Sequence, residues 1–277
     1  MRSIKFVDAF SSEPFKGNPV AVVLDAQGLN DDQMKTIARW TNLSETTFVL
    51  PPKDPNADYT LRIFTPKGEL PFAGHPTLGS AHALVESGLV KPKNGILVQQ
   101  CAQGFVPIKV EDNLFTLEMP EAKVKEFSQE DTTTLESILN CQLIAPAPVD
   151  VGPIFVIGQV KNVEKLLQLE PDLSRLAEFE RKLKITGITL FANYPDSADI
   201  EVRTFAPSCG VPEDPVCGSG NGALAVYRKF RGLSETSSYV AKQGRKVGRD
   251  GRLHINVDSV IGVGGECVTC LKGELNV

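Results

Sequence analysis

The sequence predicts an α+β protein built from two similar halves, and three observations carry that prediction. Strand-like runs recur along the whole length, among them "NPVAVVLD", "DYTLRIF", "DIEVRTF" and "RLHINV", bounded by the Gly, Pro, Asn, Asp and Ser residues that end strands. Each half contains an apolar helical run opened by glycine, "GHPTLGSAHALVESGL" in the first and "GSGNGALAVY" in the second. A five-residue signature, R-x-F-[TA]-P, occurs as "RIFTP" at 62–66 and "RTFAP" at 203–207, and each copy precedes its glycine-started helix by a similar distance. Matching context on both sides favours duplication over chance. Two similar halves would meet at a cleft, where small-molecule sites tend to lie.

In chain order, "IKFVDAF" and "NPVAVVLD" read as strands around the turn-like "SSEPFKGN". "NDDQMKTIARW" predicts a helix: Asn30 or Asp31 can cap it, acids fill its first turn, and Met34, Ile37 and Ala38 share one face. The strands "ETTFVL", "DYTLRIF", "GILVQQ", "FVPIKV" and "LFTLEM" follow. The first glycine-started helix lies between two of them; Pro76 suits its first turn and Gly88 its end. "PEAKVKEFSQED" reads as a linker, rich in charge and poor in large apolar residues. A short helix near 132–140 comes next, then the strand "GPIFVIGQV" and helical stretches near 162–169 and 172–183. The strands "GITLFANY" and "DIEVRTF" lead to the second glycine-started helix, which ends near 231, and "SSYVAKQ", "RLHINV" and "CVTCLKGEL" close the chain as strands.

Composition narrows the class. The 277 residues suit one large domain or two ordinary ones, and 42% hydrophobic with 23% charged residues is enough for a globular core. The formal net charge is −5, the pI about 5.4, and lysines and arginines are dispersed, so neither nucleic acid nor an anionic membrane is expected as a partner. "MRSIKFVDAF" lacks a signal peptide's apolar stretch and no run approaches membrane-spanning length, so a cytoplasmic location is expected. The cysteines at 101, 141, 209, 217, 267 and 270 are expected to be free thiols. "CVTC" has CxxC spacing, but a structural zinc normally takes a second ligand pair, and His254 sits in a strand pattern. No metal is expected, and "CVTC" reads as a strand burying small residues.

A helix N-terminus presents unpaired N–H groups and partial positive charge, and glycines there let an anion approach the backbone. Gly74 in the first half and Gly218–Gly220 in the second fit that description. Such sites suit a carboxylate, and can stabilise the charge of a deprotonated carbon acid. "GSGNGA" matches the dinucleotide fingerprint letter for letter. It follows "PEDPV" rather than an apolar strand, and only about 55 residues remain after it, too few for most of a doubly wound sheet.

Four side chains stand beside these turns. Taken alone, Glu45 in "NLSETTFV" reads as a solvated turn residue, His75 as a helix-start residue, Asp214 in "EDPV" as a turn initiator and Ser219 as a cap. Their shared position at the two helix starts raises the case for a common pocket. Cys217 precedes the second helix, where a thiol tends toward a lowered pKa and can act as a base; a small buried thiol is the plainer alternative. Its counterpart before Gly74 is Ala73, which carries no proton, so a two-cysteine mechanism is excluded.

The motifs "VDAFSSEPFKGNPVAVV", "NLSETTFV", "FTPKGELPFAGHPTLGSA" and "EDPVCGSGNGALA", with the closing "GVGGECVTCLKGEL", resemble the phenazine-biosynthesis-like (PhzF) family over nearly the whole chain. The resemblance implies the diaminopimelate-epimerase-like fold: an α+β protein of two similar domains, here 1–120 and 121–277, with the last strand able to pack with the first domain. Each domain is then a curved, mostly antiparallel sheet around a central helix, with the active-site cleft between them. It further implies a homodimer without metal or organic cofactor. In the family's namesake a glutamate moves a proton between carbons of a dihydro-hydroxyanthranilate, and Glu45 stands at the matching S-E-T position. His75 matches the A-G-H-P histidine, and Asp214 and Ser219 match the D-P-x-x-G-S acid and serine, implied to position substrate and assist proton transfer. N–H groups near Gly74 and at Gly218 and Gly220 would hold the substrate carboxylate. The chain departs from the family at Cys217, where threonine is usual, and in its glycine-rich "GSGNGALA".

The expectation is therefore a cofactor-independent isomerase of a small carboxylate-bearing metabolite, dihydroaromatic or amino-acid-like, with Glu45 as general acid/base. A carboxyl in that role works best with its pKa raised toward the working pH. A second reading is a one-base epimerase, racemase or dehydratase using Cys217 with Glu45. A third is a metabolite-binding protein without catalysis.

Overall fold

The structure is a computed structural model that describes residues 1–233 and 236–277. Helices and strands are mixed along its length. The first part comprises β1 (Arg2–Ala9), β2 (Asn18–Val23), α1 (Asp31–Thr41), β3 (Thr46–Leu50), β4 (Tyr59–Phe64), β5 (Glu69–Leu70), α2 (Gly74–Glu86), β6 (Ile96–Cys101), β7 (Gly104–Glu111) and β8 (Leu114–Glu118). There follow β9 (Lys123–Val124), α3 (Gln129–Leu139), β10 (Ile144–Asp150), β11 (Ile154–Gln159), α4 (Val163–Leu167), α5 (Leu173–Leu183), β12 (Gly187–Asn193) and β13 (Ile200–Ala206). The chain ends with β14 (Val211–Asp214), α6 (Gly218–Phe230), β15 (Ser238–Gln243), β16 (Gly251–Asn256) and β17 (Gly262–Leu275). Two compact units result: Met1–Glu118 with Gly264–Val277, and Met119–Val263. Among the described residues no helix is long and apolar enough to cross a membrane.

In the first unit the strand pairings close a barrel. β1 pairs antiparallel with β2 and β17, β2 runs parallel to β3, β3 antiparallel to β4, and β4 parallel to β6. β6, β7 and β8 form an antiparallel meander, and β8 returns to β17. Closure removes exposed strand edges. Because successive strand residues point to opposite faces, β2 serves two layers. Ala21 and Val23 join Met34, Ile37 and Ala38 of α1 in one apolar cluster, whereas Val20 faces α2. There a side chain at Gly79 would come within 2.5 Å of Val20 Cγ1, so only glycine lets α2 lie this close. α2 is buried from Pro76 through Leu84 and contacts β1, β2, β3 and β8. α1 is amphipathic, as its sequence predicts, and Asn30 and Gln33 cap it reciprocally.

The second unit repeats those pairings in kind. β10–β11 is antiparallel, β11–β12 parallel, β12–β13 antiparallel, β13–β15 parallel and β15–β16 antiparallel. The short return strands match too, β5 on β4 and β14 on β13. α3, α4 and α5 fill one cluster with Val156, Ile188, Leu190 and Phe205, and α6 contacts β9 to β12 and β16.

The sequence reading lacks the short strands β5 and β14 and differs from the structure in three further places. β10 was not anticipated because "IAPAPVD" carries two prolines; it is accommodated with a register shift between Ile144 and Ala147 and with Ala145 at φ 46°. The segment read as a linker supplies β9, which pairs with β10, and the start of α3. "CVTC" does lie in a strand, but only Cys267 is fully buried. Phe10 and Phe15 in the β1–β2 turn are both left-handed, at φ 65° and 68°. Among the described residues no three His, Cys, Asp or Glu side chains gather as a metal site would need, and none of the six cysteines is in a disulfide.

Candidate active site

Local structure positions Glu45 first. α1 ends on Asn42 in the left-handed conformation (φ 54°), and a three-residue turn carries the chain to β3, so Glu45 stands at the mouth of that strand. His75 is the second residue of α2. The two meet: His75 Nε2 lies 3.4 Å from Glu45 Oε2, with side chains only 11% and 15% exposed. At that distance both atoms lack a well-formed hydrogen bond. The N-cap of α2 is Ala73, which offers no side-chain acceptor to the first amides of the helix. A side chain at Gly74 would meet only Leu117 Cδ1, at 3.9 Å, so internal packing does not demand glycine there. A buried chain of hydrogen bonds supports the same turn: Tyr59 hydroxyl donates to Gln99 Oε1 at 3.3 Å, and Gln99 Nε2 to Thr77 Oγ1 at 3.1 Å.

The second unit gathers the other predicted residues at the start of α6. Asp214 ends β14, and its Oδ1 accepts from the Val216 N–H at 3.0 Å across Pro215, an Asx-type turn. Cys217 is the N-cap, with Sγ accepting from the Gly220 N–H at 3.3 Å and lying 3.7 Å from Ser219 Oγ. Gly218 opens the helix. Gly220 is required sterically: a Cβ there would fall 2.7 Å from Thr189 Oγ1, 3.1 Å from Cys217 Sγ and 3.2 Å from Thr204 Oγ1. Burial pushes the Cys217 thiol well above its ordinary pKa, the Asp214 charge adds to this, and the Gly220 and Ser219 hydrogen bonds oppose it. The thiol is therefore neutral at physiological pH, unlike a cysteine activated at an exposed helix start. The "GSGNGA" glycines follow a four-residue strand antiparallel to β13, not the parallel strand of a dinucleotide site.

Strand register aligns the units residue by residue. Thr46 pairs with Phe64 and Ile188 with Phe205, so Gly187 holds the place that Glu45 holds in the first unit. A Cβ at Gly187 would lie 2.4 Å from the Phe205 carbonyl oxygen, which closes that place to any side chain. His75 and Ser219 are each the second residue of their helix. Sequence reasoning missed Gln99, Gln243 and Asn221, buried amides that support these turns. Nothing local distinguishes Gln99 and Gln243, since "VQQ" and "AKQ" read as ordinary strand ends, and Asn221 lies inside the "GSGNGA" run that was read for its glycines.

Comparison with known proteins adds the chemistry of relatives. A model of the phenazine biosynthesis-like (PhzC-PhzF) protein family matches residues 7–273. The chain is 39% identical to "Antisense-enhancing sequence 1" of Schizosaccharomyces pombe, with 98% of each chain covered. It is 35% identical to the trans-2,3-dihydro-3-hydroxyanthranilate isomerase of Pseudomonas aeruginosa, covering 96% of this chain and 92% of that one. Among solved structures it is similar to a PhzF-family protein of Bacillus anthracis, with a TM-score of 0.87, 26% identity, and 100% and 99% of the two chains covered.

Proposed function

The chain belongs to the phenazine biosynthesis-like family and is an isomerase of that family, and on that premise we propose that it moves a proton between two carbons of a small carboxylate-bearing metabolite, with Glu45 as general acid/base. The observation that carries this reading is the Glu45–His75 pair at 3.4 Å beside the uncapped start of α2.

In the proposed cycle, Glu45 removes a proton from a carbon acid, and the electron pair passes into the substrate's conjugated system. Glu45 then returns the proton at a second carbon, so no net oxidation occurs. His75 orients the carboxyl group and takes part in the proton traffic. Backbone N–H groups at Gly74 and at Gly218–Gly220 hold the carboxylate and the charge that develops on it. Asp214 and Ser219 orient the substrate. The glycine at 187 supports a single-acid mechanism, because the second unit has no room for a matching carboxylate. The neutral, buried Cys217 favours Glu45 over a thiolate base. This reading makes 1–120 and 121–277 epimerase-like domains with α2 and α6 as their central helices, in a cytoplasmic homodimer without metal or organic cofactor; sedimentation and metal analysis test the last two points.

The substrate named by the Pseudomonas relative, trans-2,3-dihydro-3-hydroxyanthranilate, is the first compound to try, followed by other dihydroaromatic acids and cyclic amino acids. Incubation in D₂O followed by NMR reads the chemistry directly. Deuterium entering a C–H position with wild type and not with Glu45→Gln is the expected result. Loss only with Cys217→Ser would move the base to the thiol, and binding without exchange would make the chain a metabolite-binding protein.

A further inference from the structure

We propose that Gln243 is a positioning residue for the Asp214–Ser219 turn, setting the geometry of the acid and of the α6 amides from a strand remote in sequence. Gln243 is the last residue of β15 and only 1% exposed. Its Oε1 accepts from the Cys217 N–H at 3.3 Å and from Asn221 Nδ2 at 2.8 Å, while its Nε2 donates to the Asp214 carbonyl oxygen at 2.9 Å. Asn221 Nδ2 also donates to the Cys217 carbonyl at 2.9 Å. One amide therefore ties both ends of the turn. A carbonyl can only accept and an N–H can only donate, so the amide has a single workable orientation. A carboxylate of the same size would set an oxygen against the Asp214 carbonyl, and an apolar side chain would leave three buried polar groups without it.

Sterics point to the same seat independently. Gly244 follows with φ 104°, and a Cβ there would lie 2.5 Å from the Pro215 carbonyl oxygen. At Gly251, which pairs with Gln243 across the hairpin, a Cβ would lie 2.2 Å from Val216 Cγ2. Asp214, Pro215, Val216 and Cys217 thus each rest on the end of the β15–β16 hairpin. Buried as it is, Gln243 acts through Asp214 and the α6 amides.

Its effect on turnover rests on the function proposed above; its hold on the turn does not, and the experiment separates the two. Gln243→Met keeps the volume and removes the hydrogen bonds, Gln243→Glu keeps the shape and reverses one of them, and thermal denaturation selects the variants that are folded. Amide hydrogen exchange at Cys217 and Gly220 reads the clamp. Deuterium incorporation into trans-2,3-dihydro-3-hydroxyanthranilate reads its consequence, with kcat and KM separated. The expected result is exchange at the Cys217 amide faster by about tenfold or more, the loss of one buried hydrogen bond. A kcat reduced up to about 10²-fold is expected with KM little changed, the size of effect that a small misplacement of catalytic groups produces. The double variant with Asp214→Asn should be no slower than Asp214→Asn alone. Unchanged protection in a folded Gln243 variant would overturn the clamp. Released amides with unchanged kcat, or a double variant whose losses multiply, would reduce Gln243 to a structural residue. Wild type inactive on this compound counts against the proposed function, and hydrogen exchange then decides the clamp alone.

Discussion

Arg62 and Arg203 occupy the same place in the two units, and the difference between them shows how one local device takes on different weight. Both stand in R-x-F-[TA]-P, two residues before the phenylalanine they stack on, at 5.0 Å from Phe64 and 4.9 Å from Phe205. Both grip a glutamate of the return strand with two nitrogens: Glu69 for Arg62 and Glu213 for Arg203. The surroundings then diverge. Arg62 is 24% exposed and extends to Asp31 in the first turn of α1. Arg203 is 3% exposed and gives its remaining nitrogen to the Leu166 and Leu169 carbonyls beside α4, at 3.0 and 2.7 Å. In the first unit the pair is a solvated clasp; in the second it is buried and also serves two backbone carbonyls beside α4.

The largest effect that tests the contrast between units concerns the acid that only the first possesses. Glu45→Gln is expected to lower proton exchange by about 10²–10⁴-fold, the range of general acid–base catalysis, with the melting temperature little changed. A fully active Glu45→Gln enzyme would remove the functional difference between the units.

Next in size is the arginine pair itself. Arg203→Met leaves Glu213 without its cation and takes a donor from the Leu166 and Leu169 carbonyls, and should cost about 3–5 kcal/mol in urea unfolding. Loss of the more exposed Arg62–Glu69 pair, through Arg62→Met, should cost about 1 kcal/mol or less. Equal losses would show that burial does not set the weight of the motif.

The glycines give a smaller contrast. Gly220→Ala forces a methyl against two threonine hydroxyls and a sulfur and is expected to destabilise by about 1–3 kcal/mol. Gly74→Ala meets no close atom, so it should be neutral or stabilise by up to about 1 kcal/mol, while weakening carboxylate binding in calorimetry if the α2 amides are used as proposed.

Smallest are two opposed slopes with pH. Burial alone would raise the Glu86 carboxyl, but hydrogen bonds from Lys5, Thr269 and Lys272 outweigh it and hold the group at about 2. Its folded pKa is depressed, so its stabilisation is present above the unfolded value near 4.5 and is lost as pH falls toward 2. Glu201 in the second unit is raised, by burial first. Its contribution is present below 4.5 and is lost as pH rises. Melting temperatures of Glu86→Gln and Glu201→Gln across acid pH should tilt in opposite directions, and parallel curves would refute the assignment.

Much of this was legible in the sequence, and the limits have physical causes. α1 could be read from Asn30, its first-turn acids and the spacing of Met34, Ile37 and Ala38, all of which act within a few residues. The two glycine-started helices and the R-x-F-[TA]-P strands were visible because capping, alternation and turn chemistry are local. β10 was hidden because two prolines contradict a strand locally, and only pairing with β9 and β11 overrides them. Cys217 illustrates the same limit: its position suggested a lowered pKa, whereas the burial that raises it comes from packing.

The sequence by itself determined the order and kind of the elements, the internal repeat, and which residues had chemistry to offer. Only the tertiary structure decided which of them meet. Glu45 finds His75 thirty residues on, Arg203 finds Glu213, and Gln243 reaches back 26 residues to Cys217. It also decided that the place of Glu45 is closed in the second unit, where Gly187 abuts a carbonyl. A partner's identity depends on strand register and helix approach, which the barrel and hairpin pairings set over long separations and no short stretch of residues encodes.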